Sequence, residues 1–277
     1  MGVFLIRKSD GTSLYATKDL ALDKIKMREY PKTERSLIVV DNRQSLYFRQ
    51  LFRTLALLGS KTPHEFVGYE FVTLKSGAMS SREGNIVTWQ AFRDEVYAYA
   101  RNETVKRHAD WPQGRVEHTS WTLAMGGIKF GMLKQDSDKI FTFDLERALS
   151  FDGDTGPYVQ YAATRLNSIL KKAGWNPEKG FGAGDPASLD LPAEKRLALR
   201  IATFPRACRN AAAELRPSIV SQWCLSMAHD VSDFYRDVNV LESPFGVKQA
   251  RLQLVAVSHA VLVLGLNLLG IPVPEEM

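Results

Sequence analysis

Two groups of side chains in this 277-residue chain have types and spacing suited to holding anions and bases. The first is the run Lys75-Ser-Gly-Ala-Met-Ser-Ser-Arg-Glu-Gly-Asn85. A polar, glycine-containing loop between a strand and a helix can offer backbone N–H groups, hydroxyls and basic side chains to phosphates. By position alone, a plain surface connection would read the same way. The second group is Tyr158, Tyr161 and Arg165, at spacings of three and four. At about 100° per residue they form one stripe on a helix, flanking an apolar sector of Val159, Ala162, Ala163, Leu166, Ile169 and Leu170. Such a stripe suits stacking on splayed bases and contact with phosphate or base edges. It equally suits tyrosines packed on a neighbouring helix, with Arg165 solvated. His64, His108, His118, His229 and His259 show no metal-ligand spacing, so no protein-bound metal is predicted. Cys208 and Cys224 are too few for a disulfide framework or a four-ligand zinc site. Both lie in apolar helical contexts and read as buried free thiols, which fits a reducing cytoplasm.

The elements that must position these groups change character near residue 122. Before it, strand and helix signals alternate. Val3–Arg7 and Thr12–Ala16 flank the turn pair Asp10-Gly11 and read as a hairpin. Asp19–Tyr30 reads as a helix stopped by Pro31, and Ser36–Val40 as a buried parallel strand. Ser45–Leu58 reads as an amphipathic helix closed by Gly59, Phe66–Leu74 as a strand, and Trp89–Asn102 as a helix. This order implies part of a parallel α/β sheet, with few strands for a complete doubly wound domain. From Leu123 on the strand signals stop. Leu123–Lys134, Leu145–Ser150, Pro157–Ala173, Pro192–Leu215, Pro217–Val240 and Val247–Leu269 favour helix, and Gly174–Leu191 reads as an exposed loop. The second part is an all-α bundle.

The 45% hydrophobic content is enough for a proper core. The longest apolar run, Ala260–Leu269, is interrupted by Gly265 and Asn267 and reads as too short for a membrane span. The N-terminus lacks a signal-peptide layout, because its charges follow the short apolar run. The net charge of +5 lies wholly in residues 1–122, with 19 Lys/Arg against 14 Asp/Glu, whereas residues 123–277 carry 17 of each. A nucleic-acid site in the second part must therefore rest on a few placed residues and not on general basicity.

Several segments resemble the arginyl-tRNA synthetases, a class I family. Met79-Ser80-Ser81-Arg82-Glu83-Gly84-Asn85 is similar to that family's form of the second class I signature, with Ala78 and Ser81 at the positions of its two lysines. Asp10-Gly-Thr-Ser-Leu-Tyr-Ala-Thr-Lys-Asp-Leu-Ala21 resembles the family's "Asp-Gly-Thr-x-x-Tyr-x-Thr-Arg-Asp-Leu-Ala". Val39-Val-Asp-Asn-Arg-Gln-Ser-Leu-Tyr-Phe-Arg-Gln50 resembles "Val-Val-Asp-x-x-Gln-x-x-His-Phe-x-Gln", with Tyr47 at the histidine. Phe143-Asp-Leu-Glu-Arg-Ala-Leu-Ser-Phe-Asp-Gly-Asp-Thr-Gly-Pro-Tyr-Val-Gln-Tyr-Ala162 follows the opening of the anticodon-binding domain. Leu264-Gly-Leu-Asn-Leu-Leu-Gly-Ile-Pro-Val-Pro-Glu-Glu-Met277 resembles the family's terminus.

The resemblance implies an arginine–tRNA ligase that uses ATP with Mg2+ as substrate. It assigns Lys75, Met79, Ser80 and Arg82 to ATP, and Met79, Ser80, Ser81 and Arg82 to catalysis. Tyr15, Asp19 and Gln44 would take arginine, since a carboxylate grips a guanidinium bidentately; read alone, Asp19 is also a plausible first-turn acid. Tyr158, Tyr161, Arg165, Tyr235 and Met277 would meet the anticodon of tRNA-Arg. The resemblance covers only the back portion of the family: no two histidines stand three apart, so the first signature, His-x-Gly-His, is missing. The expected fold is α/β then all-α. Residues 1–122 form the C-terminal part of a Rossmann-type catalytic domain, and residues 123–277 a helical anticodon-binding domain. The chain alone is expected to bind tRNA without forming arginyl-adenylate, arginine and ATP becoming partners if an N-terminal half completes it, and no membrane being involved. The alternatives are a non-catalytic RNA-binding protein derived from a synthetase and a relative of the cysteinyl enzymes; Tyr15, Asp19, Gln44 and Gly156-Pro157-Tyr158 argue against the latter.

Overall fold

A computed structural model describes residues 2–74, 88–176 and 184–277. The chain divides into two compact units, residues 1–72 with 137–141 and residues 73–136 with 142–277.

The first unit is built on one βαβ turn. Strand β1 (Ser36–Asp41) pairs in parallel with β2 (His64–Tyr69), Ser36 opposite His64 and Asp41 opposite Tyr69. Parallel neighbours need a crossover, supplied here by helix α2 (Ser45–Leu57), which buries Phe48, Leu51 and Leu55 at helical spacing. With Leu20 of helix α1 (Tyr15–Glu29) these residues form the unit's core, joined by Phe4, Ile38, Val40 and Phe66. A buried hydrogen bond ties α1 to β2, His64 Nε2 lying 2.7 Å from Asp23 Oδ1. The turn expected at Asp10-Gly11 forms, with Gly11 at φ +81° and Asp10 accepting from the Thr12 N–H and hydroxyl. Its flanking strands, however, shrink to the single bridge Arg7–Ser13, because α1 starts at Tyr15 and takes the residues the second strand needed.

Two short strands, β3 (Val72–Leu74) and β4 (Phe141–Phe143), make a second two-stranded sheet. The single strand expected over Phe66–Leu74 is therefore two.

The second unit is helical: α3 (Trp89–Arg107), α4 (Gln113–Leu133), α5 (Leu145–Ala148), α6 (Gly156–Lys172), α7 (Pro192–Glu214), α8 (Pro217–Asp237) and α9 (Phe245–Leu268). Helix α4 begins ten residues earlier than its apolar run suggested. Its first half is rich in Ser and Thr, poor helix formers, but Thr119, Ser120 and Thr122 are buried and Ser120 Oγ bonds the Val116 carbonyl at 2.6 Å. Tertiary burial overrides local propensity there. Helix α9 extends well before the apolar run Ala260–Leu269 and as a whole is long and apolar enough, by length and composition, to cross a membrane. Here it packs against α6, α7 and α8, burying Leu252, Leu254, Val255, Leu262 and Leu266. Helices α4 and α6 cross so closely that a Cβ on Gly156 would stand 2.2 Å from the Gly126 carbonyl oxygen. Only glycine permits that approach.

Candidate functional site

The entry to α6 sets the geometry of the second unit's site. Thr155 caps the helix, its Oγ1 accepting from the Tyr158 N–H at 3.1 Å and donating to the Ser150 carbonyl at 2.6 Å, with Pro157 in the first turn. The apolar sector Val159, Ala162, Ala163, Leu166, Ile169 and Leu170 faces the core as its spacing requires. A second stripe, Gln160, Thr164 and Asn167, grips the chain's last residues. Gln160 Nε2 donates to the carbonyls of Thr122 (3.0 Å) and Pro272 (2.7 Å), Thr164 Oγ1 to Pro274 (3.3 Å) and Asn167 Nδ2 to Glu275 (3.5 Å). Arg115 binds the Glu276 carboxylate, and Lys171 lies 3.7 Å from it. The tail is thus laid along α6, carrying Met277 to the stripe that holds Tyr161 and Arg165.

Four of the five anticodon candidates converge. Tyr161, Arg165, Tyr235 and Met277 all line one cavity of about 400 Å³, together with His108, Trp111 and Lys171. The Arg165 guanidinium sits between two rings, 4.3 Å from the Tyr161 centroid and 4.7 Å from that of Tyr235. This double cation–π contact holds a flat donor fork in place before any ligand arrives. Tyr235, on α8, is 46% exposed, so its ring is open to solvent. Tyr158 is placed differently: it packs against the core, its ring 5.3 Å from His229 and its hydroxyl 3.1 Å from Ser232 Oγ.

The turn between α3 and α4 adds residues that sequence reasoning passed over. His108 and Trp111 stack with centroids 3.8 Å apart and planes 12° from parallel, and the Arg115 guanidinium lies 3.9 Å from the Trp111 ring. Burial is the main reason that His108 is shifted below the usual imidazole range, with Arg115 and Arg107 adding to the shift against Asp110. No periodic pattern marks this cluster, since it belongs to a turn; only its density of aromatic and basic residues signals it.

In the first unit, Asp19 projects from the second turn of α1, so the first-turn reading of its carboxylate does not apply. It accepts a short hydrogen bond from the Tyr47 hydroxyl on α2. Burial first and this bond second raise the Tyr47 pKa well above the ordinary phenol value, so the group stays a donor. Tyr47 also packs on Phe4 and Phe48, with centroids 5.6 and 5.2 Å away, and so combines a core role with a polar one. Tyr15 stands one turn before Asp19 and is 81% exposed, with the Lys18 ammonium 5.9 Å from its ring. Gln44 is exposed and ends a short 3₁₀ turn just past the carboxyl end of β1. Ligands of open α/β sheets bind at the carboxyl ends of strands. Gly68, the β2 residue paired with Val40, leaves room for the Asn42 side chain, whose Oδ1 would stand 1.8 Å from a Cβ there. Lys75, Met79, Ser80, Ser81 and Arg82 lie outside the described residues. Among the described residues no group of three or more His, Cys, Asp or Glu could hold a metal ion.

Comparison with known proteins gives a consistent assignment. The profile of the tRNA synthetases class I (R) catalytic domain matches residues 1–145, and that of the DALR anticodon binding domain matches residues 159–277. The arginine–tRNA ligase of Bdellovibrio bacteriovorus is 35% identical over 281 residues, covering all of this chain and 48% of that protein. That of Methanocella arvoryzae is 34% identical, covering 99% and 47%. The arginyl-tRNA synthetase structure from Thermus thermophilus superimposes with a TM-score of 0.88 at 34% identity, over 99% of this chain and 51% of that one. The Plasmodium falciparum arginyl-tRNA synthetase shares the fold, with a TM-score of 0.81 at 22% identity. The chain spans about half the length of the curated relatives it matches. The profile match over residues 1–145, more than half of the chain, shows that it belongs to the class I tRNA synthetase (R) family.

Proposed function

We propose that this chain supplies the C-terminal portion of an arginine–tRNA ligase and, by itself, binds the anticodon loop of tRNA-Arg. The observation that carries this reading is the convergence of Tyr161, Arg165, Tyr235 and Met277 on one cavity, with the guanidinium held between two rings. An aromatic–guanidinium wall of this kind suits unstacked bases. Tyr158, on the same helix but outside this cavity, would support the site from the core side. Functionally, residues 1–122 would serve the small substrates and residues 123–277 the tRNA.

In the first unit Tyr15, Asp19 and Gln44 are proposed to face arginine. One oxygen of Asp19 already accepts from Tyr47, leaving the other to a guanidinium. ATP would be met by Lys75, Met79, Ser80 and Arg82, and catalysis served by Met79, Ser80, Ser81 and Arg82. Mg2+ would arrive with ATP. A cytoplasmic location is proposed from the two free thiols, since Cys224 is buried and Cys208 half-buried.

The test is tRNA-dependent exchange between arginine and ATP, measured with this chain alone and with the N-terminal half of an arginine–tRNA ligase added in trans. No activity alone and activity in the mixture is the expected result. A mixture that stays inactive while tRNA binding is intact would favour a non-catalytic RNA-binding protein derived from a synthetase.

A further inference from the structure

A second cavity shares Tyr161 and Met277 with the first. It measures about 450 Å³ and is lined by Arg107, His108, Phe151, Asp152 and Thr119 as well as those two residues. His108, Tyr161 and Met277 line both cavities and so form the wall between them. Two features suit this second space to a flat heterocycle. The Arg107 guanidinium lies 3.8 Å from the Phe151 ring centroid, a planar cationic slab on which a base can stack. Asp152, in the loop between α5 and α6, brings an exposed carboxylate to the cavity. A carboxylate is unfavourable for general attraction to RNA, but it is a specific acceptor for an exocyclic amine.

We propose that this cavity receives a second unstacked nucleobase of the same anticodon loop, one bearing an exocyclic amine, with Asp152 as its acceptor and the Arg107–Phe151 slab as its stacking surface. The proposal rests on the anticodon-loop reading above. The two cavities share a wall, so neighbouring nucleotides can splay to either side of Tyr161. His108 stacks on Trp111, whose ring in turn carries the Arg115 guanidinium, and this holds the shared His108 in place. Uracil is disfavoured in the second cavity because it turns a carbonyl, not an amine, toward the carboxylate.

The experiment measures binding of the whole chain to tRNA-Arg transcripts in which each anticodon nucleotide in turn is replaced by uridine. For the wild-type chain two positions should lose affinity, one governed by the Arg165 cavity and one by the Asp152 cavity. Asp152→Asn should abolish the penalty at the second position while leaving the first intact, because an amide can donate to a carbonyl as well as accept. Arg107→Ala should weaken binding of the unmodified transcript about tenfold, within the range for a lost stacking contact. Arg165→Ala is the reference for the parent reading. If Arg165→Ala weakens binding while Asp152→Asn leaves every uridine penalty unchanged, the second base site is overturned and the anticodon reading stands. If neither Arg165→Ala nor Arg107→Ala changes affinity, both fall together.

Discussion

Arg165 is the side chain whose surroundings say most about its use. A solvated arginine on a helix face would sample many rotamers, and ordering it on a ligand would cost entropy. Here two tyrosine rings hold the guanidinium flat before binding. Arg165→Ala should therefore weaken tRNA binding by about 1–3 kcal/mol with unchanged helicity, as read by filter binding beside circular dichroism. Arg165→Lys should rescue little, since an ammonium keeps the charge but loses the planar fork. At the other extreme, Cys224 is fully buried, and burial pushes its thiol up to about 12. The thiolate is the reactive form, so Cys224 should resist iodoacetamide in the native chain at pH 8 and react only on denaturation, a difference that mass spectrometry of the alkylated peptide would show. The Tyr161–Arg165 pairing was legible in the sequence because both lie on one helical stripe. Tyr158 shares that stripe yet turns to Ser232, a choice made by a neighbouring helix that periodicity cannot see.

Helix α6 works as a rail with three faces: one in the core, one on the site, one holding the tail. Gln160→Ala would leave the Thr122 and Pro272 carbonyls without their buried donor and cost about 1–3 kcal/mol of stability. It should also lower tRNA affinity, because the tail delivers Met277 to both cavities. A variant with reduced thermal stability and unaltered affinity would separate Met277 from the site. At the α4–α6 crossing, Gly156→Ala places a methyl group against backbone, which side-chain motion cannot relieve. We expect a loss of about 1–3 kcal/mol, seen as a lower denaturation midpoint. Most helices were legible from spacing and from proline starts such as Pro192 and Pro217. The first half of α4 was not, since its buried Ser and Thr residues carry no apolar period, and the hairpin before α1 was over-read because the turn pair Asp10-Gly11 gave no sign of where the next helix would begin.

For the molecule as a whole, the small sheet content among the described residues accords with the partial coverage of the relatives. Among the described residues the first unit has one parallel pair, β1–β2, and its β1 leaves Leu37 and Val39 exposed. Parallel sheets are normally covered on both faces, and the relatives are about twice as long as this chain. The α/β-then-α order could be read from the sequence because periodicity changes near residue 122. The tail's path along α6 could not, since it depends on contacts between residues more than 100 positions apart. The helical unit is proposed to read an anticodon. The most direct test is the affinity of this chain for tRNA-Arg compared with the same transcript carrying a foreign anticodon, at fixed salt, because phosphate contacts alone are sequence-blind. Swapping the anticodon should cost at least about tenfold in affinity, and Arg165→Ala should lose that discrimination. Equal binding of the two transcripts by the wild-type chain would contradict this reading.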